Sequence, residues 1–176
     1  MRSSKQPWKK RMRIPDPQVR DAAEQYDDAR QLLWQQPPGS GLLLPLLNTA
    51  AVAVELFLKS LSSELLHVPV NDFNGVSTVH AVPELQHHRL VELFNNIPDD
   101  MRSQLESSFA TDASVQGGTP LRDVLAKYEV LFAASRYPFE PGTNISKYPL
   151  MPLMVLSAFL RTFVANMEPC DWIEWP

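Results

Sequence analysis

The chain of 176 residues has a single cysteine and no long run of apolar residues. One cysteine excludes an internal disulfide and suits a reducing cytoplasm. The longest uncharged apolar run, residues 42–54, is too short to span a bilayer and contains Asn48 and Thr49, so we expect a buried core helix there and no membrane segment. Residues 1–15 lack the apolar middle and cleavage site of a secretory signal. We therefore expect a cytoplasmic protein.

The common motifs of catalysis and metal binding are also missing. There is no Gly-rich phosphate loop, no Gly-x-Ser-x-Gly elbow, no HExxH helix and no Cys–His nucleophile pattern. The potential zinc ligands are His67, His80, His87, His88 and Cys170. Their spacings match no known ligand pattern, and two adjacent histidines on a helix point about 100° apart. The sequence therefore predicts no metal and no cofactor.

Charge is distributed unevenly along the chain. Residues 1–13 carry six basic side chains and no acidic one, which leaves ten basic against twenty acidic residues in the remainder. An acidic body argues against a broad phosphate-binding surface, whereas the N-terminal arm suits nucleic acid or an acidic partner. The alternative is a solvated, disordered tail.

Helical periodicity dominates the rest of the sequence, and strand signals and internal repeats are nearly absent. Asp16 before Pro17 is typical of a capped helix start. Residues 67–86 contain Pro69, Asn71, Gly75 and Pro83, so we expect a long loop. The pattern predicts an all-α bundle of about five or six helices with antiparallel neighbours. The predicted helices cover residues 17–36, 43–66, 86–96, 99–109, 120–136 and 150–167.

These elements predict one domain with two tails. A basic flexible arm covers residues 1–15, a single helical domain residues 16–168, and a short tail residues 169–176. The tail contains Trp172 and Trp175, which is unusual for a disordered end. We expect these rings to pack on the body or on a second chain.

One carboxylate and one ammonium lie inside the most apolar predicted helix. Glu55 and Lys59 are four residues apart and therefore share a helical face, with Leu56, Phe57 and Leu58 between them. Buried charges need partners whether or not a ligand is present. The pair therefore belongs either to a structural polar network or to the lining of a functional groove.

Arg136 is the leading candidate for ligand binding. It ends an amphipathic helix and precedes a Pro-bent loop, Tyr137-Pro138-Phe139-Glu140. A guanidinium in this position is suited to hold a phosphate or a carboxylate bidentately. The alternative is a structural role, in which Arg136 interacts with the negative end of its helix and forms a salt bridge with Glu55 or Glu140.

Three segments together resemble the HEPN superfamily of small α-helical domains over about residues 42–167. They are the Glu-x-x-Leu-Lys helix at Glu55, the His-x-Leu at His88 that precedes a Leu-Phe helix and a proline, and the pair Arg136-Tyr137. Ribonucleases of the superfamily carry an arginine followed four to six residues later by a histidine. No histidine follows Arg136 in this sequence.

The resemblance implies a degenerate, non-catalytic domain that binds RNA, a nucleotide or a protein partner as a homodimer, in a defence, toxin–antitoxin or stress system. It implies that His88 contacts the start of its helix or the buried polar network, although Arg89 stands where the family often has aspartate. The first alternative is a metal-independent endoribonuclease in which Arg136 and a histidine from elsewhere, such as His88, meet across a dimer interface. The second is a structural adaptor anchored by Trp172 and Trp175.

Overall fold

Helices make up most of the protein, as predicted, and they form a bundle. The computed structural model describes residues 10–69, 77–83, 88–115 and 118–174. In these ranges the helices are α1 (Pro17–Trp34), α2 (Leu43–Ser60), α3 (Leu90–Asn95), α4 (Asp99–Thr111), α5 (Leu121–Lys127), α6 (Leu131–Arg136) and α7 (Leu150–Ala165). The strands are β1 (Lys10–Ile14), β2 (Ser63–Pro69), β3 (Ser77–Pro83) and β4 (Cys170–Glu174).

Helix α1 begins where the sequence predicts. The Asp16 carboxylate accepts hydrogen bonds from the backbone N–H groups of Gln18 and Val19, and Pro17 occupies the first turn. The backbone N–H of Asp16 also donates to the carbonyl of Ser60, at 2.7 Å. The start of α1 is thereby tied to the end of α2.

Helix α2 is the central element and packs against α1, α6 and α7. By length and composition it would be able to cross a membrane, but 61% of it is buried inside the bundle, as expected of a core helix. It ends at Ser60, six residues earlier than predicted. The hydroxyl groups of Ser60 and Ser63 donate to the carbonyls of Phe57 and Lys59, which satisfies the last turn, and the chain then enters β2.

The predicted helix at residues 120–136 is two helices, α5 and α6, separated at residues 128–130. The ring of Tyr128 is buried at this break, and its hydroxyl donates to the carbonyl of Pro149. Glu106 of α4 caps the start of α5, because its carboxylate accepts hydrogen bonds from the backbone N–H groups of Leu121 and Arg122. The other helix ends lie within four residues of their predicted positions.

A four-stranded antiparallel sheet accompanies the bundle, in the order β3-β2-β1-β4. It corrects three predictions. Residues 10–14 of the predicted flexible arm form β1, one of the two inner strands. The predicted loop at residues 67–86 contains the last three residues of β2 and all of β3, and residues 170–174 of the tail form β4. Residues 1–9 of the arm and Trp175 lie outside the described residues, as does the side chain of Trp172.

Alternating side chains explain why β1 belongs to the fold. Met12 and Ile14 are fully buried, while Arg13 between them is exposed. This is the period of two that places one face of a strand on a core. The basic residues of this segment are therefore compatible with an ordered strand.

Candidate functional site

Glu55 and Lys59 form a buried ion pair on α2. The Lys59 Nζ lies 2.7 Å from Glu55 Oε1, and the two side chains are only 9% and 6% exposed. His88, just before α3, places its Nδ1 2.9 and 2.8 Å from the two carboxylate oxygens of Glu55. The side chain of His88 is 53% exposed. The buried pair is therefore connected to the surface through the imidazole.

A carboxylate that bonds one imidazole nitrogen fixes the orientation of the ring. Here Glu55 engages Nδ1, so Nε2 of His88 is the nitrogen that remains for a ligand or a proton. Lys59 balances the charge of Glu55 in the core, where an unpaired carboxylate would be costly. The expected contact between His88 and the polar network is thus present.

Phe132 connects His88 to Arg136. The centroids of the His88 and Phe132 rings are 4.4 Å apart, with their planes tilted by 31°. The guanidinium carbon of Arg136 lies 5.2 Å from the centroid of the same Phe132 ring and 5.5 Å from that of Tyr137. Because Phe132 and Arg136 are four residues apart on α6, they share one helical face. We call Glu55, Lys59, His88, Phe132 and Arg136 the Arg136 cluster.

Arg136 itself is exposed, and no carboxylate among the described residues lies within 4.0 Å of its guanidinium. Neither Glu55 nor Glu140 forms the salt bridge that the structural alternative required. Glu140 lies outside the cluster, in the following loop, beside a shallow pocket that Asn144 and Lys147 also line. Five of the six predicted binding residues therefore lie together, and Glu140 does not.

One hydrogen bond links α2 to α6, and a second lies within α6. The side-chain amide of Asn48 donates to the hydroxyl of Ser135 at 3.1 Å, and that hydroxyl donates to the carbonyl of Phe132 at 3.1 Å. Ser135 is buried in this contact. The positions of Phe132 and Arg136 relative to α2 are thereby set by polar contacts as well as by packing.

Exposed aromatic side chains follow Arg136 along the chain. Tyr137 is 50% exposed and Phe139 is 94% exposed. A phenyl ring left almost entirely in water lacks the burial that usually stabilises it. Tyr137 lies beside the Arg136 guanidinium, and both exposed rings offer flat surfaces to a planar ligand.

A second buried charge lies elsewhere, at Asp27 on α1, and was not predicted as a candidate. Its carboxylate accepts hydrogen bonds from Arg30 and Gln31 on the same helix and from Ser157 and Arg161 on α7. Burial alone raises the pKa of Asp27, but these four donors outweigh it and lower the pKa to about 2. The contacts with Ser157 and Arg161 join α1 to α7. Both carboxylate oxygens already accept hydrogen bonds, so we do not regard Asp27 as a ligand site. In the sequence, Arg30 and Gln31 lie three and four residues after Asp27, and this spacing would have predicted hydrogen bonds to its carboxylate along one face of α1.

Within the part of the chain that the structure describes, no three histidine, cysteine, aspartate or glutamate side chains are arranged to hold a metal ion. No model of a protein family matches the chain, and comparisons with curated proteins and with solved structures found no similar protein. The chemistry of the site therefore has to be inferred from its own geometry.

Proposed function

We propose that this protein is an HEPN-like domain that binds RNA or a nucleotide through the Arg136 cluster without cleaving it. The observation that carries the proposal is the state of Arg136, whose guanidinium is exposed, packed on two rings and free of any carboxylate partner within the described residues. A solvent-accessible arginine that is already oriented loses less entropy when it binds an anion.

The chemistry of the cluster suits a phosphate with a base attached. The planar guanidinium binds two phosphate oxygens at once, and Nε2 of His88 supplies a further polar contact. Tyr137 and Phe139 provide stacking surfaces, and base stacking on an aromatic ring contributes about 1–3 kcal/mol per base. This combination favours an unpaired nucleotide over a simple inorganic anion.

Net charge limits the size of the binding surface. The protein has a formal net charge of −4, so long stretches of phosphate are repelled by most of its surface. Binding at one arginine involves few phosphates and therefore depends only moderately on salt concentration. The ligand that fits best is a short single-stranded segment or a mononucleotide.

Binding can be tested by fluorescence anisotropy with a labelled 12-nucleotide single-stranded RNA and with AMP as competitor. Arg136→Ala should weaken RNA binding about tenfold, because it removes a charge-assisted bidentate contact. Arg122→Ala is the matched control, since it removes the same charge from an exposed position on α5. An equal loss in both variants, or no saturable binding by the wild type, would refute the proposal.

We also propose a homodimer that buries apolar helical faces. Leu32, Trp34 and Leu43 are large apolar side chains exposed on α1 and α2. Exposed apolar side chains do not stabilise a monomer. In an isologous dimer the same side chains of both protomers are buried at the interface. Sedimentation should give a dimer at high micromolar concentration, and a monomer under those conditions would contradict this part of the proposal. A role in defence or stress would follow from the family resemblance.

The second candidate function is a metal-independent ribonuclease, and one observation favours it. His88 and Arg136 pack on the same ring within one chain, and Glu55 orients the imidazole. A carboxylate-oriented histidine can act as a general base, and a nearby arginine can stabilise the charge on a phosphorane. We rank this function second because the family's histidine after Arg136 is missing.

Activity is tested with labelled RNA in the presence of EDTA. The binding proposal predicts intact RNA with the wild type and with His88→Ala. Cleavage that persists in EDTA and disappears in both His88→Ala and Arg136→Ala would promote the ribonuclease.

A further inference from the structure

A cavity of about 300 Å³ lies between α4, α5 and the start of α7. Its walls are mainly apolar, with Phe109 from α4, Val124 and Tyr128 from the region of α5, and Met151 and Val155 from α7. This volume is at the lower end of the range of ligand pockets, about 300–1,000 Å³. It is twice that of an engineered apolar cavity of about 150 Å³ that binds benzene. The cavity is therefore large enough for a small organic molecule.

Only a few polar side chains interrupt the apolar lining of the cavity. Ser114 and Thr119 contribute hydroxyl groups, and Lys127, at the end of α5, is the one charged side chain among the described residues that line it. Lys127 is exposed, and no carboxylate in the described part of the chain lies within ion-pair distance of its ammonium. An apolar cavity with an available cation is complementary to an apolar molecule that carries a negative charge at one end.

We infer that this cavity binds a small apolar carboxylate, such as a medium-chain fatty acid, with its chain against Phe109, Val124 and Val155 and its carboxylate at Lys127. The site shares no residue with the Arg136 cluster, so it is a second and independent site. Burial of the chain supplies most of the affinity, because each methylene group removed from water adds a favourable hydrophobic contribution. Lys127 selects the acid over the corresponding alcohol.

Isothermal titration calorimetry with decanoate and with decan-1-ol tests both parts of the inference. The wild type should bind both compounds saturably and prefer decanoate. Lys127→Met should weaken decanoate binding about fivefold and leave decan-1-ol unchanged, since it removes only the ion pair. Arg122→Met, on the same helix but outside the cavity, should change neither.

A cavity-filling variant locates the site. Val155→Phe adds a ring to the wall of the cavity, so it should abolish binding of both compounds while circular dichroism and the melting temperature show that the protein still folds. If that variant unfolds, chemical-shift changes of the wild-type Val124 and Val155 methyl groups on addition of decanoate provide the same information. Absence of saturable binding, unchanged binding in Val155→Phe, methyl groups that do not shift, or equal weakening of acid and alcohol by Lys127→Met would each overturn the inference.

Discussion

The buried carboxylate of Asp27 makes the free energy of unfolding decrease at acid pH. Its pKa is about 2 in the folded protein and 3.8 in an unfolded reference. One pKa unit corresponds to 1.36 kcal/mol, so ionised Asp27 contributes about 2 kcal/mol to the free energy of unfolding at neutral pH. Because the pKa is lowered in the folded state, this contribution is complete well above pH 3.8. It is lost as the pH falls from about 4 towards 2.

Substitution of Asp27 by asparagine removes the charge and nearly preserves the shape. The variant leaves Arg30 and Arg161 without the carboxylate that joins them, and breaking a buried ion pair in this way costs about 3 kcal/mol or more. We expect a loss of this size at pH 7 by urea denaturation. The difference between wild type and Asp27→Asn should be constant above about pH 5 and should narrow below pH 4.

Asp28 provides the matched control. Its carboxylate also contacts Arg161, but its side chain is exposed, so Asp28→Asn should cost less than about 1 kcal/mol. If the two asparagine variants lose equal stability, or if the difference between wild type and Asp27→Asn is the same at pH 3 and pH 7, the buried network is not the source of the effect.

Two further predictions concern the supports of the Arg136 cluster. Lys59→Met should lower the free energy of unfolding by about 2 kcal/mol, because it leaves Glu55 buried with His88 as its only described partner. In urea denaturation the double variant with Glu55→Gln should lose less than the sum of the single variants, and strict additivity would count against a direct interaction. Asn48→Ala should cost about 1 kcal/mol and weaken RNA binding, since it releases α6. Its neighbour Thr49→Ala, which loses only hydrogen bonds within α2, should leave RNA affinity unchanged, and an equal loss of affinity in both would disprove the positioning role.

Local signals were sufficient to locate the helical segments and the ion pair, but not the early end of α2 or the break between α5 and α6. The cap at Asp16 and Pro17 placed the start of α1, and the spacing of four between Glu55 and Lys59 placed both charges on one face of α2. Such features depend on neighbours within one or two helical turns. Tertiary contacts do not need to be known to predict them.

The sheet was missed because its strands come from distant parts of the chain. Met12 and Ile14 alternate with arginines, but the segment is short and its basic residues are also typical of a solvated arm. Its partners are β2 and β4, and the pairing of Ile14 with Cys170 joins the two ends of the chain. A strand is stabilised by pairing with its neighbours, so the sequence of β1 alone is only a weak indication that it forms a strand.

The geometry of the candidate site depends mainly on α2. Glu55 orients His88 before α3, while Asn48, two turns earlier on the same helix, holds Ser135 and with it the position of Arg136 on α6. One rigid helix thus fixes both the imidazole and the guanidinium relative to Phe132. Because α2 supplies this alignment, His88 and Arg136 need no short sequence spacing to lie at one site. The missing histidine after Arg136 keeps binding without cleavage as the first proposal, and the contacts of His88 make it the residue to substitute in the cleavage test.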